Sequence, residues 1–259
     1  MFTDLDGSLL DHHTYSYDAA TPTLSRLSEE RIPLIFVSSK TRAEMSALRA
    51  EMGVTHPFIV ENGAAVFVPE GYFSTRPADT HVRDGYWVRE FSEGRDRWLD
   101  LLESARGEFA GEFDCFHWAG TQGVAEMTGL SPEQAEMANR REYSEAVRWL
   151  GTEARKIEFV DSLTAGGATV QQGGRFLGVA GRHDKGEALT WLRACYQQEQ
   201  PAVDVCDLAV GDSLRFHLDY GALLQAMLSP YVDKELSGRA VQRAKPTRVA
   251  RDCASFMMS

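Results

Sequence analysis

Two aspartates near the start of the chain, Asp4 and Asp6, sit two apart in Phe2-Thr3-Asp4-Leu5-Asp6-Gly7-Ser8-Leu9-Leu10-Asp11. They follow a short apolar lead and precede a glycine. If Phe2 to Leu5 end a strand, both carboxylates stand at its carboxyl end, where open α/β sheets bind ligands. One carboxylate can attack a phosphorus atom while the other handles the proton, and an Asp nucleophile can carry the phosphoryl group covalently. Two carboxylates this close repel each other unless a cation sits between them, which implies Mg²⁺. The competing reading is an acidic turn that closes a surface hairpin.

Three further places carry groups suited to the same chemistry. Ser38 follows the apolar run 32–37 directly, so its hydroxyl and the next backbone N–H groups can bind a phosphoryl oxygen at a helix N-terminus; a plain N-cap is the alternative. Lys40 and Arg42 place positive charge near that helix start, where the dipole disfavours cations, so their position suits a bound anion. Solvated surface charge explains them as well. Lys185, in Gly181-Arg182-His183-Asp184-Lys185-Gly186, is another cation at a helix start, relieved by a phosphate or by Asp4. Asp212, between Gly211 and Ser213, is placed to bind metal or to cap a helix.

The elements that must position these groups alternate. Helices are predicted over residues 21–31 and 42–52, and strands over 32–37, 58–60 and 66–68. A near-continuous apolar run such as 32–37 suits a strand buried on both faces. This rhythm implies an α/β fold with a doubly wound parallel sheet. From about residue 86 to 178 the pattern changes to an α+β insert, with helices over 94–106 and 131–139 and strands over 156–160, 168–171 and 176–179. The first rhythm returns with a helix over 185–196, a strand over 207–210 and a helix over 222–228. A basic tail past Gly238 is expected to be a surface extension or partly disordered. The expected domains are a core of 1–85 with 179–259, and a cap of 86–178. Only three residues precede Asp4, so either the start lies upstream of Met1 or the first strand is short.

At 259 residues, with 43% hydrophobic and 25% charged residues, the chain has the composition of an ordinary globular protein. A net charge of −11 argues against nucleic acid or an anionic membrane as partner. Any phosphate site must then be built locally. Cys115, Cys195, Cys206 and Cys253 are scattered, which suits reduced thiols in the cytoplasm better than a disulfide or zinc framework.

Asp4-x-Asp6-x-Ser8 resembles the DxDx[T/S] signature of the haloacid dehalogenase superfamily of phosphohydrolases. Asp4/Asp6, Ser38, Lys185 and Asp212 follow the order and spacing of its four motifs. The insert falls where the superfamily's Cof-like, type IIB branch carries its larger cap on a Rossmann-like core. Within that branch, three stretches are similar to the mannosyl-3-phosphoglycerate phosphatases: Val37-Ser38-Ser39-Lys40-Thr41-Arg42, Glu61-Asn62-Gly63-Ala64 and Arg141-Glu142-Tyr143-Ser144. Thr128-Gly129-Leu130 and Gly173-Gly174-Arg175-Phe176 extend the likeness, which covers roughly residues 2 to 190.

The resemblance implies a Mg²⁺-dependent phosphatase that releases mannosylglycerate, a compatible solute, from its phosphorylated form. It implies that Asp4 is the nucleophile, Asp6 the acid and base, and Ser38 and Lys185 the phosphoryl ligands. It makes Ser39, Lys40, Asn62, Arg141, Ser144 and Arg175 candidates to hold substrate. Metal would be held by Asp4, Asp6, Asp212 and a second acid of the fourth motif. There the pattern breaks, because Arg215 and Phe216 stand where that acid is usual. Either an insertion lets Asp219 take its place, or the metal site is weakened. A phosphatase or phosphomutase of other sugar specificity, and a weakened sugar-phosphate binding protein, remain alternatives. The expected partner is a small phosphorylated sugar, the expected assembly a monomer or homodimer.

Overall fold

The computed structural model describes residues 1–11 and 14–199. The strand over 207–210, the helix over 222–228, the basic tail, Asp212 and Asp219 therefore lie outside the described residues. Among the described residues the first sheet contains six strands, β1 (Phe2–Thr3), β2 (Ile35–Val37), β3 (Phe58–Val60), β4 (Ala65–Pro69), β5 (His81–Arg83) and β6 (Tyr86–Glu90), in the order β1-β2-β3-β4-β6-β5. β1, β2 and β3 run parallel, with Phe2 opposite Ile35 and Phe36 opposite Phe58. β4, β6 and β5 extend the sheet antiparallel, which the sequence reading did not anticipate. Tyr86–Glu90, placed in the cap by that reading, hydrogen bonds to β4 in this first sheet.

Helices cover both faces of this sheet. Ala188, Leu192 and Cys195 of α7 (Lys185–Glu199) cluster with Ile35, Val37, Ile59, Val66 and Val68. The alternate residues Phe58 and Phe67 stack on the other face. There the Arg49 guanidinium of α2 (Arg42–Glu51) lies 4.2 Å from the Phe58 ring centre. The side chains alternate because successive residues of a strand point to opposite faces. α1 (Thr21–Glu29) starts with Pro22 in its first turn.

The second sheet is antiparallel, in the order β7-β8-β10-β9, from β7 (Phe113–Cys115), β8 (Ser144–Trp149), β9 (Thr169–Gly173) and β10 (Phe176–Ala180). Trp98 and Leu102 of α3 (Arg95–Ala105) pack on one face together with Phe159 and Leu163 of α6 (Glu153–Ala165). α4 (Phe116–Thr128) and α5 (Pro132–Asn139) cover the other, burying Phe116, Val124, Ala135 and Ala138 beside Phe176.

The strand expected over 156–160 is helical instead. Its β-branched residues favour a strand locally, but Phe159 and Leu163 lie four apart and both are fully buried. That helical spacing, with Thr152 capping the helix through the Arg155 N–H, outweighs propensity.

Candidate active site

Asp4 follows β1 immediately, and the chain then turns back on itself. The Leu10 N–H donates to the Leu5 carbonyl at 2.9 Å, and Gly7 takes φ of 70°, a left-handed conformation that glycine adopts without a Cβ penalty. This turn leaves both carboxylates half in solvent, with side-chain exposures of 47% for Asp4 and 41% for Asp6. Asp4 Oδ1 accepts the Leu5 N–H at 2.7 Å, which fixes the carboxylate plane. Its Oδ2 accepts from Lys185 Nζ at 2.8 Å, although the two residues lie 181 apart in sequence. Asp6 Oδ1 pairs with Lys40 Nζ at 3.0 Å. Asp4, Asp6, Lys40 and Lys185 are thus drawn into two adjacent ion pairs at the carboxyl ends of the parallel strands.

Ser38 follows β2 and is fully buried; its Oγ accepts the Lys40 N–H at 3.3 Å. It is not the N-cap of α2. Thr41 is, with its hydroxyl taking the Glu44 N–H and the Glu44 carboxylate taking the Thr41 N–H at 2.8 Å. The cap role that competed for Ser38 is therefore filled by another residue. Arg42 differs from the anion-binding expectation, since its guanidinium pairs with Glu142 at 2.6 Å and Asp84 at 2.9 Å.

The remaining candidates gather where the two sheets meet. Glu61, Asn62 and Gly63 take φ of 45°, 61° and 99° in succession. The first two are not glycines, and such a conformation costs roughly 1–3 kcal/mol each and persists only where the surroundings enforce it. They do: the Glu61 N–H donates to the Lys40 carbonyl at 3.0 Å and the Asn62 N–H to the Ser38 carbonyl at 2.9 Å. A Cβ on Gly63 would stand 2.2 Å from the Asp184 carbonyl oxygen, so this position admits only glycine and seats the turn against the start of α7.

The buried Glu61 carboxylate accepts the N–H groups of Glu142 and Tyr143 at 2.8 and 3.2 Å and the Ser144 hydroxyl at 2.5 Å. Arg141 donates to Ser144 Oγ at 2.7 Å and to the Ser39 carbonyl at 3.2 Å, so it bridges the second sheet to the loop that carries Ser38. A small cavity of about 50 Å³ is lined by Asn62, Arg141, Ser144, Gln171 and His183. His183 meets the Glu61 carbonyl through Nε2 at 3.1 Å, and burial lowers its pKa, which favours the neutral ring donating that hydrogen bond.

Arg175 stands apart from this group. It is exposed and donates to the Met127 and Thr128 carbonyls at 3.2 and 3.0 Å, at the carboxyl end of α4. A larger cavity of about 570 Å³, lined by Arg42, Arg83, Arg95, Arg141 and Glu142 among others, does not include Asp4 or Lys185. The sequence reading gave Glu61 and His183 no role. The only local signal was Asn62-Gly63, a pair that favours left-handed turns.

As for a metal, the half-exposed Asp4 carboxylate and the Asp6 backbone carbonyl are hard oxygen donors of the kind that hold Mg²⁺. The donor set of Asp4 and Asp6 fits such an ion. Among the described residues no group of three or more His, Cys, Asp or Glu side chains is arranged to hold one.

Comparison with known proteins points to one family. Residues 1–81 match the family described as haloacid dehalogenase-like hydrolase. A glucosyl-3-phosphoglycerate/mannosyl-3-phosphoglycerate phosphatase of Methanococcoides burtonii is 41% identical over 214 residues, 83% of this chain and 78% of the relative. One of the same name from Persephonella marina is 32% identical over 217 residues, 82% of this chain and 78% of the relative. The solved structure of a haloacid dehalogenase-like hydrolase from B. subtilis superposes with a TM-score of 0.51 at 16% identity, covering 76% of this chain and 78% of that one, a likeness of fold. The chain belongs to the haloacid dehalogenase-like hydrolases, in the family of phosphatases that the two relatives represent.

Proposed function

We propose that the chain hydrolyses the phosphate ester of a 3-phosphoglycerate glycoside, most directly mannosyl-3-phosphoglycerate, to the free glycosylglycerate and phosphate. The observation that carries this reading is the convergence of Lys185 on Asp4 and Lys40 on Asp6 at the carboxyl ends of the parallel strands. The names of the two relatives supply the substrate class.

Asp4 Oδ attacks phosphorus, so the Asp4 O–P bond forms as the bond from phosphorus to the glycerate oxygen breaks. Asp6 gives that oxygen its proton. Asp6 then takes a proton from water, whose oxygen attacks phosphorus, breaks the Asp4 O–P bond and frees phosphate. Lys185 and Ser38 hold the phosphoryl oxygens, and Lys40 neutralises charge beside Asp6. A phosphoryl group carries more charge than one carboxylate, so it can draw both lysines from their present partners. Mg²⁺ supplies additional charge stabilisation when bound. Asp4 and Asp6 would hold it, with Asp212 and Asp219 as the further candidates.

The second sheet with its helices, entered after Glu90 and left at Ala180, acts as the cap that reads the organic part of the substrate. Arg141, Ser144, Ser39 and Asn62 line its junction with the core. Arg175 is the weakest of the substrate candidates, because it stands apart from the others, tied to the carboxyl end of α4. The enzyme works in the cytoplasm as a monomer or homodimer.

Phosphate release from a panel of phosphorylated sugars and glycerates, with and without Mg²⁺, tests the reading. The glycosyl-3-phosphoglycerates are expected to lead the panel, and Asp4→Asn to abolish turnover. Turnover in Asp4→Asn equal to wild type sinks the proposal.

A further inference from the structure

We infer that Glu61 is a positioning residue for substrate recognition: it holds loop 141–144 against loop 38–40, so that Arg141 is set to grip the carboxylate of the substrate's glycerate. This rests on the phosphatase reading and adds to it a residue that touches neither phosphate nor sugar.

Glu61 is tied to the catalytic core by its backbone and to the cap by its side chain. Its N–H and that of Asn62 are bonded to the carbonyls of Lys40 and Ser38, and its own carbonyl to His183, two residues before Lys185. Its carboxylate, with no solvent exposure, receives two successive cap N–H groups and the Ser144 hydroxyl. Those three donors satisfy the buried charge. Arg141 Nη2 stands 3.6 Å away, close enough for an ion pair but beyond a hydrogen bond, so Glu61 holds the guanidinium by charge without occupying its N–H groups. Instead Arg141 is oriented through Ser144, which accepts from its Nε at 3.0 Å and Nη2 at 2.7 Å while donating to Glu61.

The chain of contacts is therefore Glu61 to Ser144 to Arg141 to the Ser39 carbonyl. It ends one residue from Ser38, beside the phosphoryl ligands. With Nε and Nη2 engaged by Ser144 and Ser39, Nη1 is left to donate to a carboxylate, whose charge the guanidinium matches. A 3-phosphoglycerate glycoside places such a carboxylate a few bonds from the phosphorus. A glutamine at position 61 would turn an amide NH₂ toward donors that need an acceptor, which displaces the loop and with it Arg141.

The test is ligand preference, measured by calorimetry in an Asp4→Asn background so that neither ligand is consumed. 3-Phosphoglycerate and glycerol 3-phosphate share a phosphate and differ by the carboxylate. With Glu61 present, 3-phosphoglycerate is expected to bind at least ~10-fold more tightly, the value of one charge-assisted contact. Glu61→Gln is expected to remove most of that preference while glycerol 3-phosphate binding changes far less. Should Glu61→Gln fail to fold, Ser144→Ala cuts the same chain of contacts and is expected to lower the preference as well. No preference with Glu61 present, or the same preference in both proteins, overturns the inference. Ligand preference is scored apart from turnover, so a protein that prefers the carboxylate yet releases no phosphate contradicts the phosphatase reading alone.

Discussion

Asp4 and Glu61 are both carboxylates that directly follow a parallel strand, one after β1 and the other after β3. Their surroundings are opposite. Asp4 is 47% exposed and holds one lysine and one N–H; Glu61 is sealed from solvent and saturated by three donors from the second sheet's side of the molecule. A half-exposed ion pair contributes only about 0–1 kcal/mol and exchanges partners readily. Removing one partner from a buried charge costs several times more, about 3–5 kcal/mol. On the proposed mechanism, the same group at the same topological place serves turnover where water reaches it and architecture where water does not.

The contrast breaks most easily at Lys185. Lys185→Met is expected to lower kcat by ~10²–10³-fold, the cost of removing one stabilising donor from a phosphoryl site. Its melting temperature should move by no more than about 4 °C, since the pair it loses is exposed. A fall in stability without a fall in kcat would make the pair structural and erase the distinction.

Gly63→Ala probes where the two regions touch. The added Cβ would collide with the Asp184 carbonyl, and the left-handed backbone strains any residue but glycine. A shift of that carbonyl moves Lys185, the next residue. Activity is expected to fall ~10²-fold, the usual result of an ångström-scale misplacement, with a stability loss of about 1–3 kcal/mol. Kinetics and thermal melting on one preparation separate the two effects.

The smallest effect concerns His183, whose pKa burial lowers. The unfolded chain then binds a proton that the folded one refuses, so this residue weakens the fold as pH drops below about 6.5, the ordinary histidine value. Stability measured across that range should rise with pH. In His183→Gln, which retains a donor for the Glu61 carbonyl, the slope should be flatter. An unchanged slope would remove His183 from the account.

Much of the half built on the parallel strands was legible because its signals are local. Asp4-x-Asp6 before Gly7, the apolar run into Ser38, and the start of a helix at Lys185 each place a group without knowledge of its partner. The strand mistaken at 156–160 shows the limit: burial of Phe159 and Leu163 against α3 is a tertiary preference that β-branched neighbours conceal. Glu61 was hidden for a related reason. Its partners lie about eighty residues on, and nothing near Glu61 announces that its carboxylate is buried. Arg42 was misread likewise, because Glu142 and Asp84 reach it only in the fold.

The central claim is that Asp4, and not another group, carries the phosphoryl moiety. Rapid quenching of a single turnover with mannosyl-3-phosphoglycerate, followed by peptide mass spectrometry, tests it directly. A phosphate adduct on the peptide containing Asp4, absent in Asp4→Asn, is the expected result. Release of phosphate with no adduct there, or with one on a different residue, would contradict the account.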